Sequence, residues 1–100
     1  MQKSEINKID NLKDRTKNFA LKIIKLYTSL PKNMEYKIIR KQILRSGTSV
    51  GANYREGCRG RSSQEFVAKL GISLQEREET AYWLELLIEI DTTGMDQVKS

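Results

Sequence analysis

A helical rhythm that runs unbroken from Met34 to Arg59, straight through two glycines, limits this chain more than any other feature. On a helical wheel Tyr36, Ile39, Ile43, Gly47, Val50 and Tyr54 fall in one narrow sector, and Ser46 and Gly57 join them. Gly47 and Gly51 each cost a helix about 1 kcal/mol relative to Ala, so the stretch RSGTSVGAN taken alone suits a strand or a loop. The 3.6-residue period does not pause there, and small residues on an apolar stripe allow a neighbouring helix to approach closely. The pattern therefore predicts one helix over 34–59, with Asn33 as its N-cap.

The flanking segments obey the same period. Phe19, Ile23, Leu26 and Leu30 form one face of a helix predicted over 14–30, which Ala20, Leu21, Ile24 and Tyr27 widen. Pro31 stops that helix, because proline donates no backbone hydrogen bond and disfavours a helical residue before it. Residues 1–13 are polar apart from Ile6, Ile9 and Leu12, and are expected to fray. Gly60 breaks the second helix, and Ser62 followed by Glu65 reads as a capping box for a third over 63–90. Its apolar stripe is Phe66, Val67, Leu70, Leu74, Ala81, Leu84 and Ile88. Thr92-Thr93-Gly94 ends it, leaving 91–100 as a loop or the start of a fourth helix. The expectation is an all-α fold: a single antiparallel up-and-down bundle over 1–100, with three long helices and a truncated or missing fourth.

Composition removes whole classes of function. Histidine is absent and Cys58 is the lone cysteine, so neither a Ser-His-Asp nor a Cys-His device can form, and an intrachain disulfide is impossible. The usual zinc ligand sets are missing too. Glu76, Glu78 and Glu79 could suggest acid–base pairs or metal carboxylates, but no histidine completes a di-iron motif with the i, i+3 pair Glu76 and Glu79, and the three read as cross-helix partners for Arg45 or Arg55. Tyr82 and Trp83 read as packing aromatics, and Cys58 as a small packing residue. No apolar stretch approaches the eighteen residues of a membrane span, and the N-terminus lacks the apolar core of a signal peptide. These features predict a cytoplasmic protein with no membrane association, no enzymatic activity and no cofactor.

Charge is divided unevenly along the chain. Residues 1–61 carry fifteen basic side chains against five acids, net +10, whereas residues 62–100 carry three against eight, net −5. Opposite the apolar sector of the second helix, Lys37, Lys41, Arg45, Arg55 and Arg59 line up, with Thr48 between them. Repeated cations along one face suit a phosphate backbone, and arginine adds bidentate geometry. Arg40, Lys41, Arg45, Arg55, Arg59 and Arg61 are the candidate nucleic-acid-binding residues. The same pattern also fits a solvated face whose last arginines complement the helix dipole, or charge matching between helices. Ile38, Leu44 and Ala52 on the second helix, with Leu21 and Ile24 on the first, lie outside the main apolar sectors and predict self-association, a thicker monomer core being the alternative.

Three blocks carry a family likeness: Phe19 to Tyr27 followed by Leu30-Pro31, the run Gln42 to Glu56 containing RSGTSVGANYRE, and Ser62 to Lys69 with Glu79 to Leu84. Over residues 12–90 the chain resembles the four-helix-bundle proteins related to 23S rRNA intervening-sequence proteins, themselves similar to the accessory variability determinants of diversity-generating retroelements. The resemblance implies a bacterial helical bundle that assembles into a ring-shaped homopentamer, with a basic surface for nucleic acid and no catalytic residues. It also implies a fourth helix after the segment matching Thr92–Gly94, or a neighbouring subunit that supplies the missing cover. The expected function is non-enzymatic, oligomeric and directed at RNA or DNA. The alternative is an interaction scaffold that docks another protein without touching nucleic acid.

Overall fold

In the computed structural model, which describes residues 3–91, the chain forms three helices: α1 (Lys3–Ser29), α2 (Met34–Cys58) and α3 (Ser63–Glu89). They make a rod of 60 × 21 × 17 Å. Among the described residues there is no strand, and the all-α bundle read from periodicity is the observed fold. The segment 92–100, where a loop or fourth helix is expected, lies outside the described residues.

Helix boundaries follow local chemistry. α2 starts after Asn33, whose extended backbone gives its carbonyl to Lys37 N–H at 2.9 Å while its side chain leans toward Glu35 instead of capping. Ser62 caps α3 as its spacing predicts, accepting from Glu65 N–H at 3.1 Å. The Glu65 carboxylate reaches back to the Arg61 N–H at 2.6 Å, one residue earlier than in the usual box. α1 departs from expectation. It begins at Lys3, so the stretch 1–13 is helical over its described part. No glycine or proline precedes Pro31, and Ile9, Leu12 and Thr16 extend the spacing of Phe19 and Ile23 backward. The apolar period thus propagates a helix that polarity alone would leave frayed.

α1 and α3 both pack on α2, which runs antiparallel to each. The core gathers at one end, where Ile23, Tyr36, Ile39, Ile43 and Leu87 are buried with Trp83 and Leu84 packed against them. Tyr36 Oη donates to Asp91 at 2.9 Å and ties the start of α2 to the end of α3. At the other end Tyr54 meets Phe66 edge to face. Burial, with Cys58 beside it, pushes the Tyr54 hydroxyl up to about 12.

Close backbone approach explains the small residues of α2. A methyl group placed on Gly47 would lie 2.8 Å from Ile23 Cγ1, and one on Gly51 3.0 Å from Thr16 Oγ1, so α1 sits where only hydrogen fits. α3 comes near by another route. Ser73 Oγ donates to the Val50 carbonyl at 2.7 Å, and Thr80 Oγ1 lies 2.8 Å from both Ser46 Oγ and the Glu76 carbonyl. Every one of these buried hydroxyls is satisfied, so they cost little.

Here the apolar stripe expected on α3 is corrected. Its buried positions are Ser73, Thr80 and Leu87, whereas Val67 and Ile88 are 63% and 60% exposed. Hydroxyl side chains permit tighter contact with α2 than Leu74 or Val67 would. Leu70 and Leu74 turn instead toward an open groove between α1 and α3, about 420 Å³, lined also by Leu12, Phe19, Val50 and Tyr54. No described residue covers it.

Two glycines should respond oppositely to the same change. Gly47→Ala is expected to lower stability by about 1–3 kcal/mol, since overpacking against Ile23 outweighs the gain in propensity. Gly71, whose added Cβ would meet nothing within 4 Å, should gain about 0.5–1 kcal/mol as Ala. Urea denaturation of both variants measures the contrast.

Candidate nucleic-acid interface

The outward side of α2 is set by its inward one. Once Tyr36, Ile43, Gly47 and Val50 face the neighbouring helices, Lys37, Lys41, Arg45, Ala52, Arg55 and Arg59 face solvent. The structure then treats the six candidate residues differently.

Arg40 is not on the open face. It is 8% exposed, its guanidinium lies 4.3 Å from the centre of the Tyr27 ring, and Nη1 points to the Tyr27 carbonyl at 3.4 Å. Its Nε has no hydrogen-bond partner, and no carboxylate pairs with it among the described residues. Tyr36, Arg40, Ile43 and Gly47 follow the spacing of one helix face. That spacing places Arg40 on the buried sector despite its charge. Arg40 works between α1 and α2: its aliphatic stem is buried, its cation sits on an aromatic face, and it approaches a carbonyl in the last turns of α1.

Arg45 is exposed but occupied. Its Nη1 lies 3.2 Å from Glu76 Oε2, and its Nη2 pairs with Glu79, while Nε donates to Gln42 at 3.2 Å. Of the three glutamates expected as cross-helix partners, Glu76 and Glu79 take that role, whereas Glu78 pairs with Arg77 beside it. Thr48 and Ser49 spend their hydroxyls on the helix itself, donating to the Leu44 and Arg45 carbonyls at 2.7 Å. The cationic stripe is thereby broken at its middle.

Two clusters remain. Lys37 and Lys41 lie near the start of α2, and neither has an ion-pair partner among the described residues. Arg55, Arg59 and Arg61 gather where α2 turns into α3, all exposed. Arg55 contacts the Lys13 carbonyl at 3.4 Å with one nitrogen only. Eighteen residues of helix separate Lys41 from Arg59, about 27 Å at 1.5 Å per residue. Beside the arginines, Lys69 bonds Glu56 at 2.8 Å and holds its carboxyl below the usual carboxylate value, with Arg59 adding to the effect. Of the acids beside the arginines, Glu56 is thus claimed by Lys69 and Glu65 accepts from the Arg61 backbone N–H. Among the described residues no cluster of ligating side chains could hold a metal ion, and no helix is long and apolar enough to cross a membrane.

A three-helix rod with a small-residue spine and outward cations along α2 defines a class of all-α helical-bundle protein. Comparison gives that class a family. The profile of the 23S rRNA-intervening sequence proteins matches residues 11–100, and the chain belongs to that family. It is also similar, at 46% identity and a TM-score of 0.71, to a crystal structure from Bacteroides thetaiotaomicron described as a protein of unknown function from the S23 ribosomal protein family. The match spans 83% of this chain and 75% of that one. No curated protein matches the chain.

Removing Arg40 separates packing from binding. Arg40→Ala is expected to cost about 2 kcal/mol of stability through lost stem packing and the lost cation–aromatic contact. Its salt dependence of RNA binding should equal that of the unmodified protein, checked by thermal denaturation and fluorescence anisotropy.

Proposed function

We propose that this protein is a non-enzymatic, self-associating helical protein of the bacterial cytoplasm that holds RNA or DNA through the phosphate backbone. The observation that carries this reading is the arginine trio Arg55, Arg59 and Arg61, exposed at one end of the rod with the neighbouring Glu56 tied to Lys69. Phosphate contacts of this kind give affinity and register but little sequence preference. The rings at this end, Tyr54 and Phe66, pack on each other with Tyr54 buried, which disfavours stacking on single-stranded bases. Exposed apolar side chains on all three helices support self-association.

Affinity for a short RNA or DNA duplex should fall steeply between about 50 and 200 mM salt. The triple variant R55A/R59A/R61A should flatten the log–log salt slope by about one per lost contact. Absence of binding to either nucleic acid at about 50 mM salt would overturn the reading. The open apolar groove between α1 and α3 favours a second one, in which the protein docks another protein. Capture of that partner, surviving nuclease and high salt, would support the second reading over the first.

A further inference from the structure

Two patches left over from the nucleic-acid reading complement each other. The first is the early part of α2, where Ile38 is 56% exposed between Lys37 and Lys41, with exposed Met34 one turn before. These cations have no carboxylate on their own chain among the described residues. The second is the back of α3, where Tyr82 is 54% exposed and sits between Glu78 and Glu85 at i, i+4 and i+7. Glu78 meets only its neighbour Arg77, at 3.4 Å. Tyr82 is braced edge to face on Trp83, which fixes the ring without covering it.

We infer that these patches bind one another between copies of the chain, head to tail, the basic patch of one subunit on the acidic patch of the next. The inference rests on the self-association proposed above and names its two faces. Each patch has an apolar centre flanked by like charges, and the two carry opposite signs, so a patch repels its own kind and attracts the other. A two-fold contact through either patch alone is thereby disfavoured.

Position decides what such a contact builds. Glu78, Tyr82 and Glu85 lie on the side of α3 opposite Ser73, Thr80 and Leu87, which pack on α2. The basic patch lies on the side of α2 opposite Ile39 and Ile43. The two are therefore separate surfaces of one molecule. They also share a height on the rod: the Tyr36–Asp91 and Ser46–Thr80 hydrogen bonds bracket Lys37 and Lys41 on α2, and Tyr82 and Glu85 on α3. A head-to-tail contact with no step along the rod closes into a ring where its rotation divides a full turn, whereas a stepped one climbs into a filament. The arginine trio at the other end stays open for phosphate.

Charge reversal tests the pairing. All four charged positions are exposed, so K37E/K41E and E78K/E85K should keep the helical circular-dichroism signal. By light scattering, each variant alone is expected to run at monomer mass, and an equimolar mixture of the two, or the quadruple variant, to regain the mass of the unmodified protein. If either double variant keeps that mass, or if mixing restores nothing, the pairing is wrong while self-association stands. If the unmodified protein is itself a monomer at high concentration, both fail.

Discussion

Everything in this molecule hangs on how closely two helices can approach α2. A 25-residue helix flanked on both sides offers no room for large side chains at its crossings. Gly47 and Gly51 admit α1, whose Ile23 and Thr16 lie against bare backbone. Ser46 and the Val50 carbonyl admit α3 through hydroxyl contacts to Thr80 and Ser73. Two glycines inside a helix weaken it by about 2 kcal/mol in propensity, and tertiary packing offsets that cost, as it does for most helices in folded proteins. The outward direction of Lys37, Lys41, Arg55 and Arg59 is a consequence of this inward geometry.

Once the spine is set, electrostatics sorts the surface. The excess of positive charge in residues 1–61 and of negative charge in residues 62–100 is only partly spent within the chain. Arg45 bridges to Glu76 and Glu79, and Lys69 bridges to Glu56, which ties α2 to α3 at two heights. Exposed pairs of this kind stabilise weakly. Their larger effect is to neutralise the middle of α2 and leave cations at its two ends. A phosphate backbone and an acidic protein face need different things, and the two ends differ in the same way: arginines without apolar company at one, lysines around an exposed isoleucine at the other.

Much of this is legible in the residues, and the failures are instructive. The period through RSGTSVGAN, the stop at Pro31 and the cap at Ser62 place the helices to within a residue or two, apart from the start of α1. That start is hidden because polar residues carry little period signal, although nothing in them breaks a helix. On α3 only Leu70 and Leu74 of the expected stripe line the groove and Leu84 joins the core, while serine and threonine face α2. Hydropathy ranks Leu74 above Ser73, but contact distance decides the reverse. Arg40 is missed for a related reason: a charge on the apolar sector looks like surface until an aromatic ring and a carbonyl are found to receive it. The pairing of Glu76 and Glu79 with Arg45 is readable, because opposite charges recur at helical spacing on adjacent helices.

Native-state hydrogen exchange along α2 tests the spine most directly. If bare backbone and satisfied hydroxyls hold the bundle together, the amides of residues 46–54 exchange last, at rates near those of global unfolding. Rapid exchange at Gly47 and Gly51, with protection confined to the Tyr36–Ile43 end, would mean that the small-residue stretch is a weak joint and that the surfaces built upon it have no fixed relation.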